Sequence, residues 1–597
     1  MTEYKAPVAE LRFALETFAG LEDLARLPGF EAAEPEMVGA ILEEAGRLAA
    51  EVLAPLNQAG DREGCTLENG VVRQPAGFRE AYRQLAEGGW IGLCADPALG
   101  GQGLPWSIAL AVQELWDAAN MSLGLSPLLT QGTIELLEAH ASPAQKETYL
   151  PKLAAGIWTG SMNLTEPQAG SDLGAIKTKA ERDGANYRLR GQKIFITYGE
   201  HELAENIVHL VLARSPDGPP GSKGLSLFIV PKFLVNEDGS PGPRNDLRCL
   251  SLEHKLGIRA SPTAVMSYGD GEGAVGYLVG EENRGLNVMF TMMNNARLAV
   301  AVQGLGIGER AYQGALAYAR QRTQGQAIGA GEDGPVPIIA HPDVRRMLAT
   351  MKARVEAMRA LAIYAAGMLD RARRSPDPKV RAASQARLDL LTPVAKAWCT
   401  DGGCEVASLG VQVHGGMGYI EETGAAQHYR DARINPIYEG TNGIQALDLV
   451  ARKIARDKGA AARALIEEMR ADEQTLHAAE DPGLKALVGP LGEGRFVLSA
   501  ATDWLVETLD QDPRKAAAVA TPYTRLFGTV AGGWLLGRGA LAAQGRPGTG
   551  GGEAAWRAGK LAIARFYAEN LLPAAAADAV AVMTGAESTL ALTDEQF

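Results

Sequence analysis

The stretch TGSMNLTEPQAGSD, Thr159 to Asp172, marks the boundary on which the fold turns. Before it, PEMVGAILEEAGRLAAEVLAPL, FREAYRQLAEGGW and WSIALAVQELWDAANMSLGL repeat apolar residues three and four apart, as one buried helix face requires. SPAQKETYLPKLAAG adds another helix with a Ser-Pro start. After the boundary come short runs rich in Ile, Val and Phe, such as YRLRGQKIFIT, NIVHLVLARS and LSLFIVPKF, bounded by Gly, Pro, Asn and Asp. That change of period predicts a helical segment over 1–158 followed by a compact β domain over 159–282.

Helical spacing returns at GLNVMFTMMNNARLAVAVQGLGIGERAYQGALAYARQR and persists through ASQARLDLLTPVAKAWCTDGGCEVASLGVQV, predicting a bundle of long antiparallel helices over 283–455. The polar, Gly-rich stretch Thr323–Pro337 reads as an exposed excursion. A last block, 456–597, carries further amphipathic helices and one Gly-rich linker, QGRPGTGGGE. The fold class is therefore α+β multidomain: helices, a β domain, a helical bundle, and an appended helical block.

The chain has 597 residues and a formal charge of −13, which argues against broad binding to a phosphate backbone. No run approaches eighteen uninterrupted apolar residues, and the N-terminus lacks a basic segment followed by an apolar one. The expectation is a cytoplasmic protein without an integral membrane segment. The five cysteines are scattered, and Cys399 and Cys404 lack a second pair or a nearby histidine, so no zinc site is expected.

Several motifs could carry chemistry, each beside a plainer reading. GLGIGERA, Gly304 to Ala311, has fingerprint glycines but no preceding strand, so close helix packing explains it better. In LTEPQAGSD, an irregular loop with Gly170 and Ser171 could cradle flavin carbonyls or phosphate oxygens, or simply join strands. KIFITYG places Phe195 and Thr197 two apart on a strand, a pair able to flank a flat heterocycle or just to fill a strand. VQVHGGMGYIEE ends a helix in a Gly-Gly turn; His414 there is a base or, more ordinarily, a cap. NPIYEGTNGIQ, Asn435 to Gln445, holds the single acid Glu439 among Ile434, Ile437 and Tyr438. Such a carboxylate is either a general base in an apolar setting or an acid at a helix N-terminus.

Taken in order, LTEP-x-AGSD, the FIT strand, EHKLGIRASPT, R-x-QG, VQVHGGMG and IYEGTNGIQ resemble the acyl-CoA dehydrogenase family, from the first helices through Lys453. The opening YKAPVAELRF and the extra C-terminal block resemble its long bacterial subgroup. The resemblance implies an FAD-dependent enzyme that removes an α-proton and a β-hydride from an acyl-CoA, giving the trans-2-enoyl-CoA and passing electrons to an electron-transfer flavoprotein. It implies Glu439 as the catalytic base, with the thioester carbonyl held by that residue's own N–H and a flavin hydroxyl. It places Met162, Leu164, Thr165, Ser171, Phe195 and Thr197 along the flavin, Ser171 also reaching the CoA portion. Many relatives have Trp at the Phe195 position.

By the same resemblance Arg322, Gln412, Gly415 and Gly416 contact the FAD of a neighbouring subunit, so dimerisation is part of the site. Asn294 and Arg297 match the acyl-CoA channel, and Gly440 and Thr441 match substrate and flavin contacts after the base. Many relatives carry Asp at the Asn294 position, and Gly443 stands where some have Gln. The appended block would cover surface used for tetramers, implying a homodimer. Two rival functions share the motifs: an acyl-CoA oxidase, and a flavin-retaining relative that binds DNA with little turnover. The acidic chain argues against the second.

Overall fold

The protein is described by a computed structural model over residues 3–329, 334–546 and 551–597. The chain divides into two compact units: one comprises 1–46, 106–118 and 300–597, the other 47–105 and 119–299.

The second unit is built on a mixed sheet. Among the described residues it has eight strands: β1 Trp158–Asn163, β2 Lys179–Asp183, β3 Asn186–Thr197, β4 Asn206–Arg214, β5 Leu225–Pro231, β6 Leu247–Leu252, β7 Thr263–Tyr268 and β8 Ala274–Val279. Their order is β6-β7-β3-β8-β5-β4-β1, with β2 pairing both β3 and β4. That second pairing closes β3, β8, β5, β4 and β2 into a ring, so these strands have no free edge between them. β1 runs parallel to β4, from Trp158 opposite Asn206 to Asn163 opposite Val211. Tyr187, Leu189, Val211, Phe228, Val230 and Met266 fill the interior.

A short hairpin, Thr66–Glu68 with Val71–Arg73, interrupts the segment expected to be helical and adds Val72 to this interior. Its turn is Asn69-Gly70, both at positive φ (51° and 78°), the geometry a tight two-residue hairpin requires. The helix Trp106–His140 breaks its regular conformation at Asn120 (φ −160°, ψ 86°), whose Oδ1 accepts from the Leu123 amide at 3.2 Å.

The first unit is helical. Gly285–Gln321, Pro342–Arg374 and Pro378–His414 are its long members, the first of them running on from the β-rich unit. The fingerprint-like glycines lie inside the first of these helices and serve packing: a Cβ on Gly304 would sit 2.5 Å from the Cys399 carbonyl oxygen, and one on Gly403 would sit 2.3 Å from that of Gly304. Only glycines let two backbones approach so closely.

The excursion after Gln321 is closed by a bridge between Thr323 and Pro337, with 330–333 outside the described residues. The helices of the appended block pack on this bundle: Ala520–Gln544 lies against Pro342–Arg374 and Pro378–His414, with Gly528 pressed on the Trp398 ring. The N-terminal helix Val8–Ala14 is bound in as well, Trp556 Nε1 donating to Glu10 at 2.9 Å and Lys560 pairing with Glu10 and Glu356. The expected linker within 545–552 lies partly at 547–550, outside the described residues. Among the described residues no helix is long and apolar enough to cross a membrane.

Candidate active site

In the β-rich unit, the loop Leu164–Asp172 leaves the end of β1 and is stitched to β3. Ile194 N donates to Thr165 O at 2.9 Å, and Ser161 Oγ donates to Thr197 O at 3.0 Å. The main tie is the buried pair Glu166–Lys193. Lys193 Nζ donates to Glu166 at 2.8 Å and to the Leu164 carbonyl at 2.9 Å. Glu166 also accepts from the amides of Lys177 at 2.7 Å and Thr178 at 3.0 Å. Burial alone would raise Glu166, but the Lys193 charge and these hydrogen bonds hold it down to about 2. Burial pulls Lys193 down to about 8, which leaves it charged at neutral pH.

This stitching holds Leu164 and Thr165 beside the strand that carries Phe195 and Thr197. Met162 and Thr165 are half-buried, Leu164 is buried, and Ser171 is exposed beside Gly170, around which there is open space. Phe195 is 57% exposed although large and apolar. Its backbone is left-handed (φ 58°), and the β3–β7 register shifts between Ala264 and Met266 opposite it. This bulge, rather than simple strand alternation, turns Phe195 outward. Thr197 follows two residues on and is half-buried. An exposed aromatic side chain on a strand tied to an irregular loop is a surface on which a flat heterocycle could stack.

Asn294 and Arg297 lie three apart on one face of the helix Gly285–Gln321. Asn294 is exposed and Arg297 buried, with Arg297 Nη1 to Asn294 Oδ1 at 3.5 Å, a marginal contact. The neighbouring Asn295 faces elsewhere and donates to Glu135.

In the helical unit, Glu439 sits in the connector before the helix Asn442–Asp448. That helix is capped by Thr441, whose Oγ1 accepts from the Ile444 amide at 3.3 Å, so Glu439 is not its terminal acid. Glu439 and Gly440 are both left-handed, at φ 55° and 81°. For a glutamate this costs about 1–2 kcal/mol, a strain that persists only where the surroundings enforce it. Gln445 Nε2 donates to the Glu439 carbonyl at 3.1 Å from one side. The preceding Tyr438 hydroxyl, a single donor, has the side-chain oxygens of Gln303 and Asn435 in reach, the latter at 3.1 Å. Glu439 itself is half-buried.

Arg322, Gln412, Gly415 and Gly416 are exposed in this same unit. Arg322 Nη2 donates to Gln324 Oε1 at 3.0 Å. Gly415 (φ 60°) terminates the helix Pro378–His414, and a Cβ on either glycine would meet nothing within 4 Å. The backbone there is open to close approach by a ligand. His414 is occupied: its Nδ1 lies 2.7 Å from Gly410 O and its ring stacks on Tyr318 at 4.5 Å. It serves as a packing and capping residue.

Reading the sequence did not single out Lys193, Gln303, Gln445 or Lys396. Lys193 stood inside a quoted strand and Glu166 inside a quoted loop, yet only the tertiary structure pairs them.

Successive family models match the chain: the acyl-CoA dehydrogenase N-terminal domain over 36–157, middle domain over 161–270, C-terminal domain over 283–455, and an acetyl-CoA dehydrogenase C-terminal-like domain over 465–593. The 3-methylmercaptopropionyl-CoA dehydrogenase of Ruegeria pomeroyi is 50% identical over 95% of this chain and 96% of its own. A broad-specificity linear acyl-CoA dehydrogenase of Mycobacterium tuberculosis is 34% identical over 96% of each. An acyl-CoA dehydrogenase from Bacillus anthracis, solved in complex with FAD, shares the fold with a TM-score of 0.75 at 21% identity, covering 95% of this chain and 90% of that one.

Proposed function

The chain belongs to the acyl-CoA dehydrogenase family, and we propose that it oxidises an acyl-CoA to the trans-2-enoyl-CoA with Glu439 as the base and an electron-transfer flavoprotein as the acceptor. The observation that carries this reading is Glu439 itself: a half-buried carboxylate in a left-handed connector, bound through its carbonyl by Gln445. Fixing the backbone at that residue restricts where its carboxylate can be presented before substrate arrives. Glu439 takes the α-proton onto its carboxylate, and the apolar acyl chain that fills the site excludes the water that would weaken it as a base. Its backbone N–H is a donor for the thioester oxygen, where negative charge develops.

The cofactor is FAD, which when bound supplies the two-electron acceptor for the β-hydride. Met162, Leu164, Thr165, Ser171, Phe195 and Thr197 would hold the isoalloxazine end. Arg322, Gln412, Gly415 and Gly416 of a second copy would hold the adenosine diphosphate end, and Thr441 would add a contact beside the base. Asn294, Arg297, Gly440 and Ser171 line the path of the acyl-CoA. The assembly is a homodimer in the cytoplasm, built from segments 1–158, 159–282, 283–455 and 456–597. The relative from Ruegeria, 50% identical and named for 3-methylmercaptopropionyl-CoA, supports that thioester as the first substrate to try.

Anaerobic titration with acyl-CoAs from short and methylthio-substituted to long chain tests this directly. One class is expected to bleach the visible flavin absorbance, and Glu439→Gln is expected to abolish bleaching while retaining FAD. A wild-type flavoprotein that no thioester bleaches would overturn the proposal.

A further inference from the structure

Lys396 lies in the middle of the helix Pro378–His414, and its side chain is fully buried. Its Nζ donates to the Gly440 carbonyl at 2.8 Å and to Asn442 Oδ1 at 2.9 Å. Asn442 is fixed in turn: its Nδ2, with two hydrogens, has three acceptors in reach, Asp401 Oδ1 at 2.8 Å, Thr400 Oγ1 at 3.0 Å and the Ala397 carbonyl at 3.1 Å. A buried ammonium is a costly means of tying a loop to a helix, because its hydration must be replaced by a few fixed dipoles. Here one of those dipoles is the carbonyl of the residue that follows Glu439.

A trans peptide points its C=O and N–H in opposite directions. Gln445 Nε2 reaches the Glu439 carbonyl at 3.1 Å and the Gly440 carbonyl more weakly at 3.4 Å, and Lys396 is the closer donor to the Gly440 carbonyl at 2.8 Å, so both peptide planes after Glu439 are oriented, with the Gly440 and Thr441 N–H groups directed away from these donors. Glu439 would relax to a right-handed conformation by turning the peptides on either side of its own Cα, and with the Gly440 carbonyl anchored by Lys396 just beyond the second of them, that turn would have to displace a held group. We infer that Lys396 is a positioning residue for Glu439, its buried ammonium holding the Gly440 carbonyl so that the strained turn presents the carboxylate in one orientation. This rests on Glu439 being the base. Lys396 exchanges no proton with substrate; it acts through the backbone.

The test follows exchange of α-protons for solvent deuterium by NMR, using FAD-loaded protein and a thioester with sulfur in place of the β-carbon. Such a compound has acidic α-hydrogens and no β-hydride to lose, so exchange reports the base alone. Wild type is expected to exchange and Glu439→Gln not to. Lys396→Met is expected to lower the maximal exchange rate about 10- to 100-fold, the effect of losing a charge-assisted hydrogen bond felt in the transition state. Flavin content should be unchanged and the half-saturating concentration should move less than about threefold. Gln445→Leu should also slow exchange, and the double variant should fall by less than the product of the two effects, because both act on one turn.

Wild-type exchange in Lys396→Met, or a loss that merely follows lost flavin or weaker binding, overturns the inference. If Lys396→Met does not yield folded holoenzyme, Asn442→Ala, which removes the other anchor of the same ammonium, is judged by the same criteria. A wild-type protein that fails to exchange overturns the assignment of Glu439 first. Exchange by wild type with an unaffected Lys396 variant overturns only the role of Lys396.

Discussion

Replacing Lys193 with Met removes one charge from a pair that the β-rich unit encloses completely. Met has nearly the same length and fills the same space, so little cavity is created and the electrostatic loss dominates. Glu166 would keep the amides of Lys177 and Thr178 and the Gln168 side chain at 2.6 Å, while the Leu164 carbonyl would lose its donor. Removing one partner of a buried ion pair costs about 3–5 kcal/mol, and the remaining donors to Glu166 place this case near 3. The chain segments so loosened are the loop Leu164–Asp172 and the strand carrying Phe195 and Thr197, so flavin retention should fall together with stability. Guanidinium unfolding of the full chain, with flavin content read after gel filtration, measures both. The double variant Glu166→Gln, Lys193→Met should recover part of the loss, because no uncompensated charge remains. The acid limb gives a second reading. The Glu166 carboxyl, near 4.5 when unfolded and about 2 when folded, contributes stability above pH 4.5 that is lost as pH falls toward 2. That part of the limb should flatten in Glu166→Gln. An unchanged midpoint and full flavin in Lys193→Met would refute the claim that this pair holds the loop.

Three further outcomes are expected. Gly403→Ala would place a Cβ 2.3 Å from the Gly304 carbonyl oxygen; the helix-propensity gain of up to about 1 kcal/mol is outweighed by an overpacking cost of about 1–3 kcal/mol, visible as a lower melting temperature. Asp370 accepts from the Trp106 and Ser107 amides at 2.7 and 3.0 Å, and burial raises its carboxyl to about 6 against the opposing effect of those bonds. Because the folded state binds this proton more tightly, its contribution is full below about pH 4 and lost as pH rises through about 6; Asp370→Asn should flatten that part of a melting-temperature profile. Lys560→Met should destabilise by the lower end of about 3–5 kcal/mol in denaturant unfolding, since Glu356 keeps Lys352 as a partner while Glu10 loses its cation.

The order of textures and motifs is local information, and the sequence carried it. The 3.6-residue period of the first and later segments, the change at Thr159 and the run of motifs ending at IYEGTNGIQ were enough to assign an α+β fold and to nominate Glu439. Asn69-Gly70 between short β-prone runs was legible as a hairpin too, but the helices around it masked it. What could not be read is whatever depends on partners distant in the chain. Phe195 is exposed because a bulge against β7 turns it out, and alternation along a single strand contains no bulge. Lys193 and Glu166 are 27 residues apart, and each alone looks like an ordinary surface charge. The left-handed turn at Glu439 is the clearest case. Its own side chain disfavours that conformation, which Gln445 and Lys396 support from two helices by fixing the carbonyls of Glu439 and Gly440. Sequence determined which carboxylate stands beside the glycine; the tertiary structure decided how it is held, because a strained backbone is stable only when remote contacts make every alternative worse.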